Sequence, residues 1–167
     1  MEGSWADGAV CAEHPPRALT VDEIQQIVKD FGSAAKKARE AGFDGIEIHG
    51  ANGYLLDQFL HDNVNNRTDQ YGGSVENRTR LPLEIIEKCS RAIGANRVGI
   101  RLSPYNYFQS TKDSNPNKHW EYLCEKIATL PQDVRPVYVH MSVFPQLVAS
   151  ANTLLIHIGS SHVSMKC

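Results

Sequence analysis

Three helical stretches with one apolar face alternate with three short apolar runs along this chain, and no hairpin signal joins any two of the runs. An αβαβαβ order of this kind makes the strands parallel, because each strand is reached through a crossover helix. The first helix is expected at 21–41. Thr20-Val21-Asp22-Glu23 forms a capping box, Ile24, Ile27, Val28, Phe31, Ala35 and Ala38 repeat at helical spacing, and Gly42 offers a left-handed stop. The second is expected at 75–93, capped by Ser74 and facing inward through Leu81, Ile85, Ile86 and Cys89. The third, at 118–130, presents Trp120, Leu123, Cys124 and Ile127. Strands are expected at 43–49, 97–102 and 136–141, with long polar loops at 50–73 and 105–117. Both a doubly wound sheet and a (β/α)8 barrel satisfy this order.

Composition narrows the function classes. With a formal net charge of −2, the chain has no bulk attraction for nucleic acid or an anionic membrane. No apolar run approaches the ~20 residues of a membrane span. Met1-Glu2-Gly3-Ser4 lacks the features of a secretory leader. Cys11, Cys89, Cys124 and Cys167 lie far apart with no CxxC, which reads as reduced thiols in a cytoplasmic protein. The seven histidines show no metal-ligand spacing, so no metal site is expected, and His140 and His157 read as incidental. Gly72-Gly73 and Arg78 read as loop and helix-start geometry, because no P-loop Lys and Ser/Thr follow the glycines.

The strand Gly45-Ile46-Glu47-Ile48-His49 carries the first chemical signal. Side chains alternate, so Ile46 and Ile48 share one face while Glu47 and His49 share the other. A carboxylate on an inner face must be paired, and Arg101, at the end of Val98-Gly99-Ile100-Arg101, is a candidate partner for Glu47. His49 and Arg101 both fall at the C-terminal ends of their strands, where parallel α/β folds bind ligands. Behind His49, the small residues of Gly50-Ala51-Asn52-Gly53 allow a ligand to approach the backbone closely. His49 and Asn52 can donate to one acceptor oxygen, and the Tyr54 phenol stands nearby. Two convergent donors and a weak acid suit polarisation of a carbonyl and delivery of a proton.

Three stretches then carry a family likeness. Residues 42–60, built around His49-Gly50-Ala51-Asn52-Gly53-Tyr54, closely resemble the old yellow enzyme family, which includes the oxophytodienoate reductases. So do Asn66-Arg67-Thr68-Asp69-Gln70-Tyr71-Gly72-Gly73 through Arg78, and Arg97-Val98-Gly99-Ile100-Arg101-Leu102-Ser103-Pro104. The loop from Asn106 to Pro116 and the Trp120 helix look most like fungal members. The resemblance implies an FMN-dependent ene-reductase. In such enzymes NAD(P)H reduces the flavin, which passes a hydride to the β-carbon of an α,β-unsaturated carbonyl. It further implies that His49 and Asn52 bind the substrate carbonyl, that Tyr54 protonates the α-carbon, and that Arg101 contacts the flavin. The second donor is Asn in one part of the family and His in another.

The fold so implied is a partial (β/α)8 TIM barrel covering about strands 4 to 6, since the whole fold takes roughly 250 residues. The organisation expected is an opening loop at 1–19, the partial barrel at 20–141, and a segment at 142–167 without family likeness, in which 154–158 reads as a strand or a short helix. A truncated product accounts for both ends. Three parallel strands alone leave two open edges that invite self-association. On that basis the isolated chain is expected to hold FMN weakly or not at all, and a catalytically inactive interaction module is the alternative to an enzyme.

Overall fold

The computed structural model describes residues 17–106, 108–142 and 153–157. The readings made on 1–16, with Cys11, and on Cys167 lie outside the described residues. Helix α1 spans Val21–Glu40, and its capping box forms as the sequence requires: the Glu23 N–H donates to the Thr20 hydroxyl while the Glu23 carboxylate accepts from the Thr20 N–H. Arg17 adds a second clamp, and together these contacts hold the Glu23 carboxyl down to about 2. Strand β1 is Ile46–Gly50, shorter at its start than the apolar run implies.

The loop expected over 50–73 contains a helix that the pattern did not reveal, α2 at Leu55–Leu60. Ser74 caps α3 (Val75–Arg78), and α4 (Arg80–Ile93) continues it after a break at Thr79. Strand β2 is Val98–Leu102, α5 is Pro116–Thr129, and β3 is Tyr138–Ser142. Helix α5 begins earlier than expected, because Asn115 caps it and Pro116 is well suited to a first turn that has no use for its missing N–H.

Strands β1, β2 and β3 pair in parallel, with His49 level with Arg101 and Arg101 level with His140. A fourth strand, β4 (Thr153–His157), runs antiparallel beside β3. This resolves the strand-or-helix reading of the C-terminal segment. It also moves one of the two expected edges: β4 covers β3, and the outer strands of the order β1-β2-β3-β4 are β1 and β4.

Period-two alternation divides the parallel strands into two faces. Ile48, Val98, Ile100, Leu102, Val139 and Met141 are buried under the helices. They join Ile24, Val28 and Ala35 of α1, and Leu81, Ile85 and Ile86 of α4, in one apolar cluster. Each such side chain contributes about 1.5–3 kcal/mol when fully buried. Tyr71, fully buried, fixes the long loop to this layer by donating to Glu84 at 3.0 Å and accepting from Gln25. The opposite face of the sheet carries Glu47, His49, Arg101, Tyr138, His140 and Ser142, and none of these is buried. Parallel sheets are ordinarily covered on both faces. This one is apolar on the covered face and polar on the other.

Gly72 sits where the long loop folds back on itself. A Cβ there would lie 2.2 Å from the carbonyl oxygen of Arg67, an obstacle of backbone that cannot rotate away. Gly72→Ala is expected to lower stability by about 1–3 kcal/mol. A urea midpoint equal to that of the parent would show that the loop yields without cost.

Candidate active site

Four of the residues singled out in the sequence meet at the C-terminal end of the sheet. His49 ends the polar face of β1, and Arg101 lies beside it on β2. After Gly50 and the fully buried Ala51, the chain turns through Asn52 (φ 59°) and Gly53 (φ 72°), two consecutive left-handed residues. That turn brings Tyr54 back toward the strand end, with its ring 5.4 Å from the His49 ring. Tyr54 is 51% exposed, so its phenol can exchange a proton with solvent.

Hydrogen bonds orient Asn52. Its Oδ1 accepts from the Asn106 side-chain amide at 2.9 Å, so its own Nδ2 hydrogens are left to donate, with no partner among the described residues. Its backbone N–H donates to the Ser103 hydroxyl at 2.8 Å. The neighbouring Gly53 N–H donates to Asp57 Oδ2 at 2.8 Å, and the Gly53 carbonyl accepts from Gln58 at 2.8 Å. Asn106, Ser103 and Asp57 were not singled out in the sequence. Each lies inside a stretch that carries the family likeness, and their convergence on one turn depends on the pairing of β1 with β2.

Arg101 donates to the Ser142 hydroxyl at 3.2 Å, while its Nε is buried and has no hydrogen-bond partner among the described residues. The pairing expected between Glu47 and Arg101 does not form. Glu47 Oε2 instead lies 3.0 Å from His140 Nδ1. The reason is register. Glu47 is level with Gly99, whose place on this face is covered by the Tyr138 ring, and Arg101 turns toward Ser142 of β3, so the side chain that meets Glu47 is His140. His140, read as incidental, therefore belongs to the polar face. The alternation Tyr138, His140, Ser142 was the signal for it. His157 lies in β4, and its side chain is outside the described part of the chain.

Behind the turn lies a buried ionic cluster absent from the sequence reading. His61 is 2% exposed, with Nε2 3.2 Å from Asp57 and Nδ1 3.0 Å from Asp113. Burial alone would lower its pKa, but Asp113 and Asp57 outweigh burial and raise it to about 9. Asp113 also pairs with the buried Arg78 at 2.8 Å. Burial would raise the Asp113 pKa, yet His61, His119 and Arg78 hold it at about 2. His119, fully buried against Trp120, is pushed down to about 4 chiefly by desolvation. Arg78 is thus structural, as expected: besides Asp113 it donates to the carbonyls of Leu60 and Gly73. Among the described residues Cys89 is a buried thiol, and no helix is long and apolar enough to cross a membrane.

Comparison with known proteins places this arrangement in context. The sequence profile of the NADH:flavin oxidoreductase / NADH oxidase family matches residues 3–154. Flavin oxidoreductase hxnT of Emericella nidulans is 67% identical over 141 residues, which cover 84% of this chain and 36% of that protein. Putative 12-oxophytodienoate reductase 5 of Oryza sativa subsp. japonica is 55% identical over 72% of this chain and 32% of its own length. Among solved structures, the old yellow enzyme homologue from Zymomonas mobilis superposes with a TM-score of 0.71 at 41% identity, covering 76% of this chain and 35% of that one. Morphinone reductase in complex with tetrahydroNAD gives a TM-score of 0.65 at 48% identity, covering 66% of this chain and 31% of that one. The chain thus spans about a third of the length of the curated relatives it matches, and its parallel strands form a partial (β/α)8 barrel.

Proposed function

The chain belongs to the NADH:flavin oxidoreductase / NADH oxidase family, and from that premise we propose that it forms the substrate-binding side of an FMN-dependent ene-reductase acting on α,β-unsaturated carbonyl compounds. The observation that carries this reading is the Asn52 carboxamide in the turn that follows His49, its oxygen taken by Asn106 so that its amide hydrogens remain to donate. His49 and Asn52 hold the substrate's carbonyl oxygen. Two donors on that oxygen stabilise the negative charge that develops there as the β-carbon accepts a hydride. Tyr54 gives its phenolic proton to the α-carbon and regains one from solvent.

The residues present suit a flavin. Arg101 carries a buried Nε without a partner among the described residues at the mouth of the polar face, and Arg101 would hold the isoalloxazine edge with a fixed positive charge. When bound, FMN supplies the redox chemistry, taking electrons from NAD(P)H and passing them to the C=C bond. The polar sheet face with Glu47 and His140 corresponds to a barrel interior, where buried charge is paired. The setting we propose is the cytoplasm.

A second reading has its own observation. β1 is an outer strand and the polar face of the sheet is not buried, so the chain on its own has a surface for self-association. Visible absorption of the purified chain, soaked in FMN, desalted and passed over a sizing column, separates the two. A retained yellow colour, bleached by NADPH and restored by an enone, supports a complete site, with the elution volume showing whether copies share it. A colourless protein overturns catalysis by this chain alone and leaves the interaction module.

A further inference from the structure

The buried His61 cluster is not used by the chemistry above, yet one arm of it ends on the substrate-binding turn. Asp57 is fully buried on α2, and its two carboxylate oxygens look in different directions. Oδ1 faces His61 Nε2 at 3.2 Å. Oδ2 accepts from the Gly53 N–H at 2.8 Å and from the Ser103 hydroxyl at 3.4 Å. Ser103 in turn accepts from the Asn52 N–H. Asn52 and Gly53 are the two left-handed residues of the turn, a conformation open to both residue types, and its exact aim is set by what its backbone N–H groups bond to. The Asp57 carboxylate fixes Gly53 directly and Asn52 through Ser103.

Asp57 is removed from water, and the cationic side chain it faces is His61, 3.2 Å from its Oδ1. The groups facing His61 from every side define its state: Asp57 on α2, Asp113 on the loop before α5, Arg78 of α3 behind Asp113, Asp62 next to it in the chain, and His119 and Trp120 on α5. The two carboxylates nearest His61 keep it protonated, and the ring in turn attracts Asp57 Oδ1.

We propose that His61 is a positioning residue for the substrate-binding turn, acting through Asp57 and Ser103 to hold the Asn52–Gly53 backbone in the geometry that aims the Asn52 carboxamide at a carbonyl oxygen. The proposal rests on the reading of Asn52 as a substrate donor. Deprotonating His61 removes the charge that holds Asp57 Oδ1, and the carboxylate is then free to turn away from the Gly53 N–H. The turn therefore changes with the protonation state of a side chain that touches neither substrate nor flavin.

The test uses the full chain without flavin. Amide correlation spectra and His61 ring resonances are followed from about pH 6 to about pH 10. The expected result is that the Gly53 and Asn52 amides move with the His61 ring and share its midpoint, near 9. His61→Gln, neutral and able to hydrogen-bond, should keep a dispersed spectrum and erase the pH response at Gly53. If that variant does not fold, the parent titration decides alone. A Gly53 amide that stays flat while the His61 ring titrates, or that follows another histidine, overturns the proposal. Because FMN is not in the sample, failure to bind flavin leaves this result intact, and a flat Gly53 leaves the ene-reductase reading intact.

Discussion

Asp113→Ala is expected to lower the unfolding free energy by about 3–5 kcal/mol, the cost of leaving buried charge without its partner. Asp113 stands between two cationic groups, His61 at 3.0 Å and Arg78 at 2.8 Å. Removing it leaves those two facing each other in a site where all three side chains are at most 5% exposed. Domains of ordinary stability hold about 5–15 kcal/mol in total, so the variant would sit near the edge of folding. Urea denaturation of parent and variant measures the difference. A loss below about 1 kcal/mol would be the value of a surface pair and would remove the cluster from the account of stability.

The same titration at several pH values reads the cluster in the parent. The folded pKa of His61, about 9, lies above its ordinary value. Its contribution is therefore complete below about pH 6.5 and is lost as pH rises through 9, of order 3 kcal/mol in all. His119 acts in the opposite sense. Its folded pKa is pushed down to about 4 by burial, so folding excludes its proton and stability declines as pH falls from about 6.5 toward 4. Stability should be greatest near neutrality and fall on both sides.

The second large effect is catalytic. In protein that retains FMN, Tyr54→Phe is expected to slow enone reduction about 10²–10⁴-fold, the range for loss of a positioned proton donor. NAD(P)H-dependent bleaching of the yellow colour should keep its rate, because protonation of the α-carbon has no part in that half of the cycle. The ring stays beside His49 in the variant, so packing changes little. Stopped-flow measurement of the two half-reactions separates them. Parental enone kinetics in the variant would assign the proton to another donor.

The elements legible in the sequence were those with length. The twenty residues of α1 carry a full apolar stripe and a capping box, and both appear in the structure. Helix α2 was hidden because six residues are too few to show a period and Tyr54, at its N-cap, makes no side-chain capping bond. His49, Asn52, Tyr54 and Arg101 could be singled out because strand alternation and a motif place them at one end of the sheet. The His61 cluster gave no such sign. Asp57, His61, Arg78 and Asp113 come from segments whose approach depends on how two long loops are laced together, as by Asp62 accepting from the Ser114 N–H at 3.0 Å. Burial then turns ordinary loop residues into an ionic core. The Glu47 partner was missed for a related reason: register, which alternation alone does not supply, brings His140 of β3 rather than Arg101 of β2 to Glu47.

The left-handed conformation of Asn52 also restricts what evolution can place there. Several side chains can donate a hydrogen bond, but few tolerate φ near +60° without strain. Asn, Asp and His are the residues enriched there apart from glycine. Ionised Asp cannot donate to a carbonyl oxygen, and glycine has no side chain. The intersection of backbone tolerance and donor chemistry is Asn or His, the pair that the family resemblance implies for the second donor. The turn thus acts as a filter on substitution, admitting exchange between two donors of different size while closing the position to Gln, Lys or Ser.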